Sequence, residues 1–395
     1  MSDRFASYRS RLAWLCSCAV LASCQVYDPT LLERDSGPRD AGGACEGRRP
    51  PPRPTTPDGD SVPDMFFGLR DVVLDQEEGS LWADLGFNLD GYCTARPTFG
   101  TECAPGRGAT IPPADGNEGI DNVFGEKLFP LVDSVIPGLQ ETARAAQFEG
   151  IGLPVLRLRG WNGQPDDPRV HVTITQAVVT VAPNTDGSRP EIEIVDYTAR
   201  LPGGGEAPPP VWKGGDYVWV RSDTFLAGNV EEPLVYDDNA YVAGGHVVAR
   251  LPDRVEILFP ADELGVMVRL TGGIAVGRIS DDRTRLEDVV VAGRWSLVDL
   301  LRTAENVGVC MGTTEYNVLR AQLETMADVR SDVGSGGPGV ECDAISVGVG
   351  FTGFRLQLGG VADGRPLRSA CDSPPDGGAP GEDAGVPDAG TSDGG

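Results

Sequence analysis

Residues 169–183 read RVHVTITQAVVTVAP. Val170, Val172 and Ile174 share one parity, and β-branched residues run through the whole stretch. Period-two alternation in residues stiff at χ1 is the pattern of a strand. The same reading extends outward on both sides. EIEIVDYTA (191–199), DYVWVRSDTF (216–225), AYVAGGHVVARL (240–251), RVEILFP (254–260), GVMVRLTGGIAVGRIS (265–280), LEDVVVAGRW (286–295) and AISVGVGFTGFRLQL (344–358) are separated by Gly, Pro, Asp and Asn. Strands at this spacing with few helices between them predict a mainly β fold, an antiparallel β-sandwich or β-roll with a few short helices.

Three segments carry helical patterning. Asp121 or Asn122 is placed to cap a stretch over 124–148, which Pro130 and Pro137 should break into short pieces. Ser296 and Asp299 have capping-box spacing before LVDLLRTAEN. Tyr316, Leu319, Leu323 and Met326 fall at helical spacing, a stripe that reads as core packing.

Outside residues 63–371, the predicted β-rich globular domain, the composition changes. Residues 24–62 are rich in Pro, Gly and charge, with little to bury, and read as a disordered tether. As a flexible coil it would span roughly 30–40 Å. Residues 372–395 hold six acids, no base and a single Val, and read as a disordered acidic tail.

The first residues say where the chain is sent. Arg4, Arg9 and Arg11 precede LAWLCSCAVLAS (12–23), an uncharged run too short to span a bilayer, which needs roughly 20 residues. A basic start followed by a short apolar run is the pattern of a secretory signal peptide, here residues 1–23. The run ends Leu21-Ala22-Ser23-Cys24, an aliphatic residue, two small residues and a cysteine. This resembles the lipobox of bacterial lipoproteins. The resemblance implies that Cys24 takes a diacylglycerol thioether, that cleavage falls before it, and that the new amine is acylated, with palmitate as the expected class of chain. Gln25, rather than Asp, follows Cys24, which by the same resemblance favours the outer membrane of the cell envelope, facing the periplasm or the surface. Beyond the lipobox, the long Pro/Gly/Asp-rich ends are similar to those of uncharacterised envelope lipoproteins, a likeness that carries no substrate. Cys16 and Cys18 lie within the apolar run and would be lost with it.

Charge narrows the partners. The 395-residue chain has 33 basic and 59 acidic residues, net −26, and removal of 1–23 takes it to −28. Nucleic-acid phosphates would repel such a protein, and the densest basic cluster, Arg48 to Arg53, lies in the Pro-rich tether. The partners expected are a membrane, through the N-terminal lipid, and an unidentified envelope or extracellular ligand.

With Cys24 lipidated, six cysteines remain, Cys45, Cys93, Cys103, Cys310, Cys342 and Cys371, an even set in an exported chain. Disulfides are expected, with the pairing open. Cys93 and Cys103 are nearest in sequence; Cys310 and Cys342 bracket a predicted helix; Cys45 and Cys371 are left over.

No catalytic residue can be assigned. His171 lies mid-strand and His246 follows Gly244-Gly245, neither beside a nucleophile motif. GxSxG, HExxH and Walker patterns are absent from the sequence. The one local concentration of ligand-type side chains is acidic. NLDG supplies Asn88 and Asp90; DGNEGIDN supplies Asp115, Asn117, Glu118, Asp121 and Asn122. Calcium takes six to eight oxygens, which such loops can offer. Counted from Asp115, positions three, seven and twelve (Asn117, Asp121, Glu126) fit an EF-hand loop, but Gly119 at five and Ile120 at six do not. The expectation is therefore an irregular calcium loop using Asn88, Asp90, Asp115, Asn117 and Asp121. The competing reading is a set of Asx-turns with a helix cap. The pairs Asp166-Asp167, Asp237-Asp238 and Asp281-Asp282 read as turns. A non-enzymatic binding or structural domain is the leading functional expectation. An apolar-ligand carrier and a carboxylate-dependent hydrolase are the alternatives.

Overall fold

The computed structural model describes residues 47–56, 59–95, 100–251, 255–261, 264–366 and 369–372. Cys24, Cys45 and the predicted tail from 373 onward lie outside them.

The stretch 169–183 falls in β3 (Asp167–Val181), one of the longest strands. Its N-terminal half pairs with β7 (Tyr236–Ala243) and its middle with β2 (Pro154–Arg159). β1 (Met65–Val73) joins β2 to β12 (Ala344–Ala362). From β12 the ladder continues through β11 (Arg285–Ser296), β10 (Leu264–Ile279) and β8 (His246–Arg250) back to β7. All of these pairings are antiparallel, and the eight strands β1, β2, β3, β7, β8, β10, β11 and β12 return on themselves.

The mainly β expectation holds, but two stacked sheets are not what forms: one sheet closes into a barrel. Length is the physical reason. A 15-residue β3 and a 19-residue β12 can each meet different neighbours along their two halves, which local alternation cannot reveal. β6 (Asp216–Arg221) uses this length a second time, pairing with Ala177–Val181 of β3 and running parallel to the end of β12. β9 (Val255–Ala261) adds to β10, and β4 (Glu193–Val195) with β5 (Thr198–Arg200) forms a separate hairpin.

Alternation then sorts the side chains. Phe67 and Leu69 of β1, Leu156 and Leu158 of β2, Val170 and Val172 of β3, and Val347, Val349 and Phe351 of β12 fill the barrel. Phe66, Val155, Ala177, Val218, Val220 and Leu356 form a second core outside it, enclosed by β6. Leu85 and Phe87 cover the outer face of β8, β10 and β11.

The helices are short, as their signals predict. Asn122 Oδ1 accepts from Gly125 N at 3.1 Å, so Asn122 is the residue that caps the first one. A π-helical turn (Phe124–Leu128) leads into α1 (Phe129–Val135), where Pro130 is tolerated in the first turn. α2 (Leu139–Phe148) restarts beyond Pro137. Ser296 caps α3 (Leu297–Asn306) by accepting from Asp299 N, and Thr313 caps α4 (Thr314–Met326) by accepting from Tyr316 N. No helix among the described residues is long and apolar enough to cross a membrane.

The described part of residues 24–62 lies along the barrel instead of forming a free coil. Arg48 N donates to Glu118 O and its guanidinium to Asp84 O, while Tyr241 Oη donates to Pro51 O. The Arg53 guanidinium lies 4.7 Å from the centre of the Tyr241 ring, and Val62 N reaches Trp161 O. Stacked arginines and backbone carbonyls fasten a Pro-rich strand whose composition gives no core to read.

Candidate functional site

The two acidic loops meet at one end of the barrel. Asp121 is buried; its Oδ2 accepts from Leu89 N at 2.7 Å and Asp90 N at 3.3 Å. Asp90 accepts from Tyr92 N and Glu102 N, and Asp115 from Thr94 N. Asp115 and Asp121 lie close enough to influence each other's titration, and the charge of Asp90 acts on both. The predicted convergence of Asp90, Asp115 and Asp121 is therefore present. Asn88 and Asn117 are turned to other tasks: Asn88 closes its own turn onto Gly91 N and Tyr92 O, and Asn117 donates to Asp84. Glu126 is ion-paired to its neighbour Lys127.

Sequence reading missed two members. Asp328, just beyond α4, accepts from Ser346 N at 2.8 Å and Ser346 Oγ at 2.5 Å. Glu102 receives Arg294 Nη1 on both oxygens at 2.9 and 2.8 Å. Each is a lone acid in an ordinary local sequence, so no signal marked it; Glu102 is held by Arg294 from 192 positions away, and Asp328 by Ser346 from 18 positions away on another element.

Desolvation dominates this cluster. Burial pushes Asp115 up to about 8, assisted by the charges of Asp90 and Asp328 and opposed by the Thr94 N–H. Burial raises Asp328 to about 7 and Asp90 to about 6, and drives Asp121 well above the usual carboxylate range. Four carboxyl groups packed this way need either protons or a cation. No group of three or more His, Cys, Asp or Glu among the described residues is arranged to hold a metal ion, so a cation would have to draw the loops together further.

Beside the cluster opens a polar cleft of about 370 Å³, lined in part by Arg107, Arg330, Glu324, Glu341 and Asp343. Arg330 links the two: its backbone N–H donates to Glu102, while its guanidinium pairs with Asp343 at 3.0 Å. Cys342, in the cleft wall, is bonded to Cys103. The second disulfide joins Cys310 to Cys371. Neither sequence-neighbour pairing forms. Cys93 is also disulfide-bonded, to a partner outside the described residues.

The remaining candidates are structural. His171 Nδ1 contacts Asp238 Oδ1 at 2.8 Å on the surface. His246 is half-buried, its Nε2 unpartnered, and burial lowers its pKa. The Asp-Asp pairs do turn chemistry: Asp282 accepts from Ser280 and Thr284, Asp237 from Asn239 N, Asp166 from Gly244 N. The barrel interior between Phe124, Leu270, Val291 and Val347 leaves a void of only about 20 Å³, room for no more than one water.

No protein-family model, curated protein or solved structure matches this chain.

Proposed function

We propose that this protein is a lipoprotein of a bacterial cell envelope, anchored at Cys24 in the outer membrane, whose β-barrel domain serves binding or structure rather than catalysis. The observation that carries the reading is the disulfide pairing of Cys103 with Cys342 and of Cys310 with Cys371. Such bonds persist in chains exported from the reducing cytoplasm, the destination that Leu21-Ala22-Ser23-Cys24 implies. The open cleft beside Arg330, lined by charged side chains of both signs, offers a surface for a polar ligand. The 20 Å³ void speaks against an apolar carrier using that part of the interior. The carboxyl groups with displaced titration do not line the cleft, which speaks against a hydrolase working there. Cys24→Ser should abolish labelling by a fatty-acid probe and leave an unprocessed precursor; unchanged labelling would refute the anchor.

A second reading concerns what neutralises the buried carboxyls. Calcium drawing on Asp90, Asp115 and Asp121 is favoured by the mutual repulsion that their nearness would produce if all three were ionised. Binding would displace the protons that burial favours on these carboxyl groups and would stabilise the folded state by mass action. Excess calcium should then raise the melting temperature, a chelator should reverse the rise, and Asp121→Ala should remove the response. Identical melting curves in calcium and chelator would leave the turn-and-cap reading alone.

A further inference from the structure

Cys93 is disulfide-bonded, yet Cys103 is taken by Cys342 and Cys310 by Cys371. The other cysteines of the chain are Cys16, Cys18, Cys24 and Cys45, all ahead of the first described residue. Cys16 and Cys18 fall in the apolar run that the signal-peptide reading removes, and Cys24 is the residue that reading gives to lipid. Cys45 stands two residues before Gly47, where the described chain begins.

The first described residues are held against the segment that leads into Cys93. Gly47 has a left-handed backbone (φ 47°), and a Cβ on it would fall 2.2 Å from Asn88 Nδ2, so glycine is what permits the approach. The same Nδ2 donates to Tyr92 O at 2.8 Å, and that carbonyl is joined to Cys93 N. Arg48 fixes the register. Asn88 N donates to Arg48 O, and Arg48 N donates to Glu118 O, both at 2.8 Å. The Arg48 guanidinium donates to Asp84 O and lies 5.8 Å from the centre of the Phe87 ring. Two residues of chain reach ~7 Å, and a disulfide needs its Cα atoms roughly 4.4–6.8 Å apart. A Gly47 that touches Asn88 beside Tyr92 O brings Cys45 within reach of Cys93 on both counts. Cys24, 23 residues ahead of Gly47, is under no such constraint.

We propose that Cys45 and Cys93 form a disulfide that clamps the N-terminal strap to the barrel end carrying Asp90, Asp115 and Asp121. Each thiol gives up one proton and one electron as the S–S bond forms; a disulfide carrier of the exported compartment accepts them and leaves as a dithiol. The bond closes a ring from Cys45 through the strap and β1 to the NLDG loop. The strap is then held covalently at this end, and along the barrel by Tyr241 on Pro51 O, Arg53 on Tyr241 and Val62 on Trp161 O. One consequence rests on the Cys24 anchor, although the bond itself does not. Twenty residues, 25–44, remain between the lipid and the clamp, ~25 Å at coil dimensions. The end of the barrel that holds the buried carboxyl groups is therefore the end nearest the membrane.

The test is mass spectrometry of the mature protein, its free thiols blocked, digested without reduction by a glutamate-specific protease that can cut at Glu102, between Cys93 and Cys103. A cross-linked pair of peptides holding Cys45 and Cys93, lost on reduction, is expected. Cys93 joined to Cys24, joined to a second chain, or recovered as a blocked thiol overturns the bond. The readout is the same whether or not Cys24 carries lipid, so a failed anchor and a failed clamp are told apart. Cys45→Ser should leave one thiol per chain, at Cys93. It should also speed cleavage of the native protein by trypsin after Arg48 or Arg49 several-fold, because the end of the strap can then open locally. Cleavage at the wild-type rate overturns the clamp. If Cys45→Ser does not melt cooperatively, Cys93→Ser carries the same measurement, with the single thiol at Cys45.

Discussion

Glu102→Ala should destabilise the protein by about 3–5 kcal/mol, the cost typical of stranding one member of a buried ion pair. Arg294 is only 2 % exposed and is the largest fully buried side chain among the described residues. Its Nη1 is held by both oxygens of Glu102 and by Arg330 O, and its Nη2 by Leu89 O. Removing the carboxylate leaves a guanidinium that can neither reach water nor lose its proton. The loops at 89, 102 and 330 would lose their common anchor together. Arg294→Met with Glu102→Leu should be much less harmful than the sum of the single changes, because it leaves no uncompensated charge. Chemical denaturation of the three variants measures this coupling directly. A loss below ~1 kcal/mol for Glu102→Ala would mean that water enters to solvate Arg294.

How far this site could be read beforehand follows from the range of the interactions that build it. Asp90, Asp115 and Asp121 were legible because turn chemistry is local: NLDG and DGNEGIDN carry their Asx-turns in their own residues, and Asn122 its cap. Ser296 and Asp299 announced α3 for the same reason. Arg294 was hidden, since a single arginine in LEDVVVAGRW looks like an outward-facing strand residue until Glu102 arrives from 192 positions away. Disulfides are equally non-local, and Cys103 finds Cys342 across 239 residues while its near neighbour Cys93 bonds elsewhere. Barrel closure has the same character. Each strand could be read by its period, but whether β1 would meet β12 depends on twist and on the length of β12, which no window of the sequence contains.

The acidic cluster sets the direction of the pH dependence. Asp90, Asp115 and Asp328 titrate at about 6, 8 and 7 in the fold, and near 4 once unfolding returns them to water. Between those limits the folded state binds more protons than the unfolded state, so stability falls as pH rises. The stabilisation from these groups is complete below about pH 4 and is lost progressively as pH climbs through about 6, 7 and 8. The loss by pH 9 should be on the order of 5 kcal/mol, a fall in melting temperature on the order of 10 °C from pH 5. Buried carboxylates engaged in salt bridges would give the opposite slope, so the sign alone discriminates. Asp115→Asn retains a neutral side chain that can still accept from Thr94 N, and it should flatten the decline between pH 6 and 8. Calcium adds a second axis. If the cation replaces the protons, saturating calcium should restore stability most at pH 8–9, where the carboxylates are bare, and least at pH 5, where protons compete. Melting curves recorded in chelator that stay level or rise from pH 5 to 9 would show that water solvates Asp115 and Asp328, and that their burial carries no free-energy cost.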